Sequence, residues 1–377
     1  MKRGLPLLHN NHAENNIDLL SDLPDCVLLH ILSFLTTKDA LQTCILSKRW
    51  NHLWKHLPTL TIHSSHFKYV KVFNKFVSRI LSLRDNSTAL HALDFHHYGI
   101  VEIRLLKRII KYAVSHNVQR LRVTLMFKSN IKPFLPSFFS CQTLTSVNVS
   151  LDPLPNHMRP LFPNYLYLPV LTTLSLRSFA FCVGDDGRVE PFSALKRLDS
   201  LSIKWCEVLD AQNLCISSMA LVNLTIVMYG YDPDTFFGIE LFAPSLFKFD
   251  FRGIPFQRLC LRNNGLSSIK HANIDVVSVL KSMVTKNKEC LLNSVKTSCV
   301  LHNWLIELAN VESLTVSLTT LEVLSLNPDL LKVEFSSLYN LKSLKVKADP
   351  SFITDGVVNF LIQNSPAAEI DIILDSD

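Results

Sequence analysis

The chain of 377 residues contains 48% hydrophobic residues, 63 leucines and only 9 glycines, and its formal net charge is +6. This apolar content is too high for a disordered chain, and the mild charge forms no basic stripe of the kind that strong nucleic-acid binders carry. Phosphate-binding loops and nucleophile elbows need glycine, but the G-x-G-x-x-G, Walker A and G-x-S-x-G patterns do not occur in this sequence. Nucleotide-dependent enzymes and serine hydrolases with a nucleophile elbow are therefore disfavoured.

The amino terminus, residues 1–16, is predicted to be a flexible tail. Its apolar stretch, Leu5–Leu8, is too short for the core of a signal peptide. No apolar run in the chain approaches the length of about 18 residues that a membrane span needs. We therefore expect a protein of the cytoplasm, the nucleus or both, without a membrane partner.

Residues 17–57 are predicted to form three short amphipathic helices. Pro24 suits the start of a first helix, with Ser21 or Asp22 as its cap; Thr36-Thr37 and Ser47 offer caps for the other two. Apolar residues recur at helical spacing after each cap. Two tryptophans and many leucines exceed what so small a unit can bury, so these helices either face a partner or cap the next domain.

The residues of this unit carry a resemblance. The run from Leu23-Pro24-Asp25 through Ile31–Leu35 to Cys44–Trp50 and Trp54 resembles the F-box, in the form found in plant F-box/leucine-rich-repeat proteins. The resemblance implies docking on the Skp adaptor of a cullin–RING ubiquitin ligase, with Leu23 and Pro24 packing on the adaptor. The further implied contacts, some of which could instead brace the module internally, are Leu28, Ile31, Leu32, Leu35, Trp50 and Trp54.

Residues 58–377 are predicted to form a repeat array. The pattern apolar-x-x-apolar-x-apolar recurs from Leu57 onward, mostly at intervals of about 20 to 30 residues, which is close to the period of leucine-rich repeats. Each copy is predicted to be a short strand, with helices such as 101–113 on the convex side. An interval without the pattern contains apolar segments at 276–284 and 301–308, predicted to be a helical insertion or a decayed repeat.

The expected fold is therefore α/β: a three-helix F-box module followed by an irregular leucine-rich-repeat solenoid, a curved parallel sheet with convex helices. Near the carboxy terminus, residues 356–364 are predicted to form one more helix before the last strand. Many relatives in the resembling family carry a further domain, the FBD, and we expect no complete FBD in this chain.

Candidate chemical sites are few. His52 and His56 have the spacing of metal ligands on a helix but no acidic or cysteine partner nearby, and Asp185-Asp186-Gly187 is better explained as a turn than as a cation loop. The nine cysteines are scattered without a C-x-x-C pair, which favours free thiols in a reducing compartment. We expect no catalytic residue, no metal and no cofactor.

The predicted concave face consists mostly of small polar residues, with basic residues towards its two ends. Such a face suits a target segment carrying acidic or phosphorylated groups, although an ordinary solvated face would have the same composition. The candidate target-binding residues are Arg120, Arg122, Lys204, Lys248, Lys342 and Lys345.

The resemblance implies a non-catalytic substrate-recognition subunit of an SCF-type ubiquitin ligase, whose F-box binds the Skp adaptor and whose repeats bind a target protein. Two alternatives stay open at this level. One is an F-box/leucine-rich-repeat sensor of a small, hormone-like molecule. The other is a repeat protein that binds nucleic acid through the basic residues, which the modest net charge disfavours.

Overall fold

A computed structural model of the chain describes residues 20, 22–127, 141–153, 159–163, 166–184, 187–228, 237–255, 259–262, 268–277, 288–326, 338, 340–348 and 368–373. The predicted tail at 1–16 and the predicted helix at 356–364 lie outside these ranges. The same holds for the Asp185-Asp186 pair and for most of the apolar segment at 276–284.

The amino-terminal module consists of α1 (Asp25–Ser33), α2 (Thr37–Gln42) and α3 (Trp50–Leu53), with 3₁₀ turns at Thr43–Ile45 and Trp54–His56. Three helices were predicted here, and the cap of the second is confirmed, since Thr36 Oγ1 accepts a hydrogen bond from the amide of Asp39. The other predicted caps are wrong. The first helix follows Pro24 and the third follows Arg49, both without a side-chain cap, because Pro24 and the preceding turn already fix where each helix begins.

Seventeen strands follow in the described ranges. They are β1 (Thr59–His63), β2 (Ala92–Ile100), β3 (Arg120–Phe127), β4 (Ser146–Pro153), β5 (Thr173–Arg177), β6 (Ala180–Phe181), β7 (Ser200–Lys204), β8 (Glu207–Val208), β9 (Asn213–Ser217), β10 (Asn223–Met228), β11 (Gly238–Phe242), β12 (Lys248–Gly253), β13 (Leu259–Leu261), β14 (His271–Val276), β15 (Ser313–Ser317), β16 (Ser343–Lys347) and β17 (Glu369–Ile373).

Twelve of these strands form one parallel sheet, the main sheet, in the order β1-β2-β3-β4-β5-β7-β10-β12-β14-β15-β16-β17. Each strand of the main sheet pairs with the strand of that sheet from the preceding repeat, as expected for a solenoid in which every repeat packs only on its neighbours. The second and third apolar positions of the repeat pattern lie in register; Leu93, for example, pairs with Leu60 and Leu121. From β1 to β16 these positions are buried and build one continuous core, whereas in β17 Ile370 is half-buried and Ile372 is exposed.

One predicted repeat is out of register. The sequence matches the repeat pattern only weakly here, at Leu266/Ile269, which would start the strand early; β14 begins at His271, and the buried positions are Ile269, Ala272 and Ile274. An alanine takes the place of the central leucine. The large side chains of Phe249, Phe251 and Trp304 beside this repeat fill the core around it.

The connections between strands differ along the array. Helices α4 (Val70–Leu83), α5 (Ile103–Ser115), α6 (Lys288–Glu307) and α7 (Leu318–Leu324) lie near the two ends. The helix predicted at 101–113 is confirmed as α5, and the segment predicted at 301–308 falls in α6. In the middle, the connections carry β9, β11 and β13, which form a second parallel sheet, instead of helices. None of the helices in the described ranges is long and apolar enough to cross a membrane.

A buried arginine joins the helical module to the first repeats. Arg84, at the end of α4, is 2% exposed. It donates hydrogen bonds to the carbonyl oxygens of Leu57 (2.8 and 3.2 Å), Thr88 (2.9 Å) and Ala89 (2.9 Å), and to the hydroxyl of Tyr112 (3.1 Å). One side chain thus connects the end of the module, the loop before β2 and the convex helix α5.

A second contact comes from α2. The hydroxyl of Thr37, itself buried, accepts a hydrogen bond of 2.9 Å from the amide of Thr61 in β1. The ammonium of Lys38 donates to the carbonyl of His66 at 2.6 Å and lies over the ring of Phe67. The helical module therefore packs firmly on the start of the main sheet.

Candidate protein-interaction surfaces

The helical module exposes a set of large apolar side chains. Val27, Ile31, Phe34 and Leu35 follow the spacing of one face of α1, and Ile45 and Leu46 follow α2. We call these six residues the exposed apolar set. Phe34 is 76% exposed and Ile45 is 89% exposed. So many exposed apolar side chains on about 40 residues are typical of a surface that binds another protein.

Half of the predicted partner contacts on this module lie inside it. Leu28 and Leu32 are fully buried on the inner face of α1, and Trp50 and Trp54 are almost fully buried in the segment that packs against it. A partner cannot reach these four side chains in this structure. They support the exposed apolar set from within, which is the second of the two roles that the sequence left open.

The predicted contacts Leu23 and Pro24 lie at the start of α1. Pro24 is exposed, whereas Leu23 is partly buried against the core. Arg49 fixes this segment, because its guanidinium donates to the carbonyl of Leu23 and to Asp25 Oδ1 (Nε to Oδ1, 2.8 Å). The sequence offered no sign of this role for Arg49, since the two segments are separated by two helices.

The second surface is the side of the main sheet that faces away from the core, which we call the open face. On β4, β5, β7 and β10 its first two outward positions carry only small, uncharged polar side chains. These eight residues form the central polar patch: Ser146, Asn148, Thr173, Ser175, Ser200, Ser202, Asn223 and Thr225. The predicted small polar character of this face is confirmed.

The six basic candidates are not gathered in one place. Arg120 and Arg122 lie on β3, Lys204 on β7, Lys248 on β12, and Lys342 and Lys345 at β16. Basic residues were expected towards the two ends of this face, whereas Lys204 on β7 lies at its centre.

Acidic neighbours neutralise half of these candidates. Arg122 lies 3.3 Å from Asp94, Lys248 lies 2.9 Å from Asp250, and Lys342 lies 2.6 Å from Glu312. Within the described ranges Arg120, Lys204 and Lys345 form no salt bridge. An ion pair on a solvated face adds little stability, and a target has to compete with it for the charge.

Sequence reasoning missed one basic residue of the open face, Arg177 at the end of β5. Its guanidinium carbon lies 3.6 Å from the ring centroid of Trp205, and its Nε donates to Asp152 Oδ1 at 3.0 Å. These partners are about one repeat away in the chain on either side. Alignment of the residues at the end of each predicted strand, by the same repeat period, would have brought Arg177, Asp152 and Trp205 together.

The described residues offer little for catalysis or metal binding. No group of three or more His, Cys, Asp or Glu side chains in the described ranges is arranged to hold a metal ion. His56 lies in a 3₁₀ turn and pairs with Asp85 at 3.3 Å. Burial raises the pKa of Cys206 to about 12, which disfavours its reactive thiolate. Five of the cysteines, Cys26, Cys44, Cys141, Cys206 and Cys215, are free thiols.

Comparison with known proteins bears on both surfaces. Residues 20–61 match the family profile of the F-box domain. An F-box/LRR-repeat protein of Arabidopsis thaliana is 28% identical over 84% of this chain and 64% of its own length. F-box/LRR-repeat protein 13 of the same plant is 27% identical over 83% and 67%, and an F-box/FBD/LRR-repeat protein is 27% identical over 89% and 72%.

The chain thus carries an F-box domain, and over most of its length it is homologous to plant F-box/LRR-repeat proteins. The resemblance drawn from Leu23–Trp54 and from the repeat pattern is confirmed. The chain spans about two thirds of the length of these relatives.

Proposed function

We propose that this F-box protein is the substrate-recognition subunit of an SCF-type cullin–RING ubiquitin ligase. The F-box and the homologous F-box/LRR-repeat proteins support a substrate-adaptor role at the level of the family. In the finer proposal, the helical module binds the Skp adaptor while the open face of the main sheet binds a target protein. The protein works in the cytoplasm, the nucleus or both.

The observation that carries this proposal is the exposed apolar set. Its six residues fall within the F-box match, and they remain exposed although Leu28, Leu32 and both module tryptophans are buried. Binding of a partner over this exposed apolar surface is favourable, because it removes apolar area from water.

The role needs no chemistry from this chain. Ubiquitin transfer would be accelerated by holding target lysines near a conjugating enzyme carried elsewhere in the complex. This requires the two binding surfaces to keep a fixed relation. Arg84 and Thr37 support such a relation, because they tie the helical module to the start of the main sheet.

The test replaces the two most exposed members of the set, as Phe34→Ser with Ile45→Asp. Co-purification with a co-expressed Skp adaptor is expected to be lost, because the substitutions remove apolar area and place a charge in the interface. Met219→Asp is the matched control, since Met219 is an exposed apolar residue of the repeats. Adaptor retention by the double variant at the level of this control would refute the proposal.

A further inference from the structure

Arg177 and Lys204 form a basic pair at the centre of the open face. They pair in register on the neighbouring strands β5 and β7, and the residue before each of them is buried, so both side chains point away from the core. The corresponding positions on the flanking strands carry Ser150 and Val227. The basic pair therefore lies beside the central polar patch without another charge at its own level on those strands.

The guanidinium of Arg177 is held in a fixed orientation. The indole of Trp205 stacks on one face, with the guanidinium carbon 3.6 Å from the ring centroid, and Asp152 accepts from Nε at 3.0 Å. The two terminal nitrogens donate to no described residue. A guanidinium that is already oriented loses little conformational freedom on binding, and its two terminal nitrogens match the two oxygens of a carboxylate.

Trp205 adopts an uncommon backbone conformation in this arrangement. Its φ is 54°, in the left-handed region that bulky side chains seldom occupy, and its amide donates to the carbonyl of Val227 at 2.8 Å. Ser178, at the equivalent point of the preceding repeat, has a φ of 62°. The turn after the strand is thus a feature of two repeats, and in the second it carries the indole that stacks on Arg177. Such outliers occur preferentially at binding sites.

The hydroxyl of Ser202 adds a separate observation. It lies on the same side of β7 as Lys204, two residues earlier, and its oxygen is shielded from solvent without a hydrogen-bond partner among the described residues. Buried hydroxyls are normally hydrogen-bonded, so a buried hydroxyl without a partner, on the same strand face as Lys204, indicates that a ligand group can bond there. An acceptor atom of a ligand bound on this side of β7 would satisfy this hydroxyl.

The charges at this point favour a singly charged ligand. Arg177 and Lys204 carry two positive charges and Asp152 one negative charge, which leaves a net charge of one. One carboxylate neutralises that excess positive charge, whereas a dianionic phosphate carries more negative charge than the site has to offset.

We propose that the basic pair, with Trp205, anchors a single Asp or Glu side chain of an extended segment of the target protein. This inference rests on the proposed function, because it assumes that the open face binds the target.

The test starts from the full chain in complex with the Skp adaptor and a displayed library of random dodecapeptides. The selected peptides are expected to share an Asp or Glu. Binding of a synthetic selected peptide is expected to weaken by about tenfold or more with Lys204→Gln, because a charge-assisted hydrogen bond is lost. Lys107→Gln is the matched control, since Lys107 is an exposed lysine of α5. Arg177→Gln is expected to weaken binding similarly.

Charge reversal keeps the test independent of folding. Lys204→Glu is expected to bind the peptide whose acidic residue is replaced by lysine better than it binds the original peptide. The inference would be overturned if no peptide were selected, or if the selected peptides were not enriched in acidic residues. It would also be overturned if Lys204→Gln left the affinity unchanged, or if phosphoserine in place of the acidic residue gave tighter binding. Adaptor binding, measured on the same preparations, tests the proposed function separately.

Discussion

Replacing Arg84 tests whether one buried side chain holds the F-box module against the repeats. In Arg84→Met, the carbonyl group of Leu57 loses its donor in a buried region, and the carbonyl groups of Thr88 and Ala89 lose theirs in a partly buried loop. An unsatisfied buried acceptor costs about 1–3 kcal/mol, and the charged donor makes each lost bond stronger than a neutral one. Allowing for partial access of water to the loop, we expect the variant to lose about 3–5 kcal/mol of local stability.

Hydrogen–deuterium exchange measured by mass spectrometry is the suitable assay, because an array of repeats does not unfold in a single step. Peptides covering 55–63 and 84–93 are expected to exchange much faster in Arg84→Met, whereas peptides from β10 and β12 are expected to be unchanged. Arg79→Met is the matched control, since Arg79 lies on the same helix but is exposed. Equal protection of 55–63 in the two variants would refute the reasoning.

Three further predictions follow from individual residues. Gly253 has a φ of +146°, and an added Cβ would lie 2.0 Å from the carbonyl oxygen of Met228, so Gly253→Ala should lower the local stability of this repeat by at least about 2 kcal/mol. Hydrogen–deuterium exchange in peptides covering 248–253 should then become faster; unchanged exchange would contradict this. Iodoacetamide should label exposed Cys26 far faster than buried Cys206 in the native protein, as mass spectrometry can show; equal rates would be contrary to the burial of Cys206. Hydrogen bonds and charge from Lys342 and Lys270 lower the pKa of Glu312 to about 2. The stability contributed by these ion pairs should therefore be complete above pH 4.5 and be lost as the pH falls towards 2. Titration of the Glu312 carboxylate by NMR measures this pKa, and an ordinary value would refute the prediction.

The repeat pattern could be predicted because every strand needs the same inward side chains. Leu60 and Ile62, Leu93 and Phe95, and their successors fill one core, so a spacing rule found the strands without any knowledge of their partners. The rule failed at Ala272, where neighbouring aromatic side chains supply the volume that alanine lacks.

The candidate sites were harder to predict, because they depend on contacts between repeats. The pairing of Arg177 with Asp152 and Trp205 links three repeats and requires the register as well as the period. On the F-box module, helical spacing identified the apolar positions but could not tell the inner residue Leu32 from the outer residue Phe34. That distinction depends on where α3 packs against α1.

The strict alternation along the main sheet separates two demands that most folds impose on the same residues. Inward positions such as Leu174 and Leu201 maintain the core, whereas outward positions such as Thr173 and Lys204 are exposed to solvent. Substitutions on the open face therefore change what the surface recognises at small cost in stability. Because each repeat contributes its own outward residues, duplicated copies of such a gene can diverge towards new targets one position at a time while the scaffold stays the same.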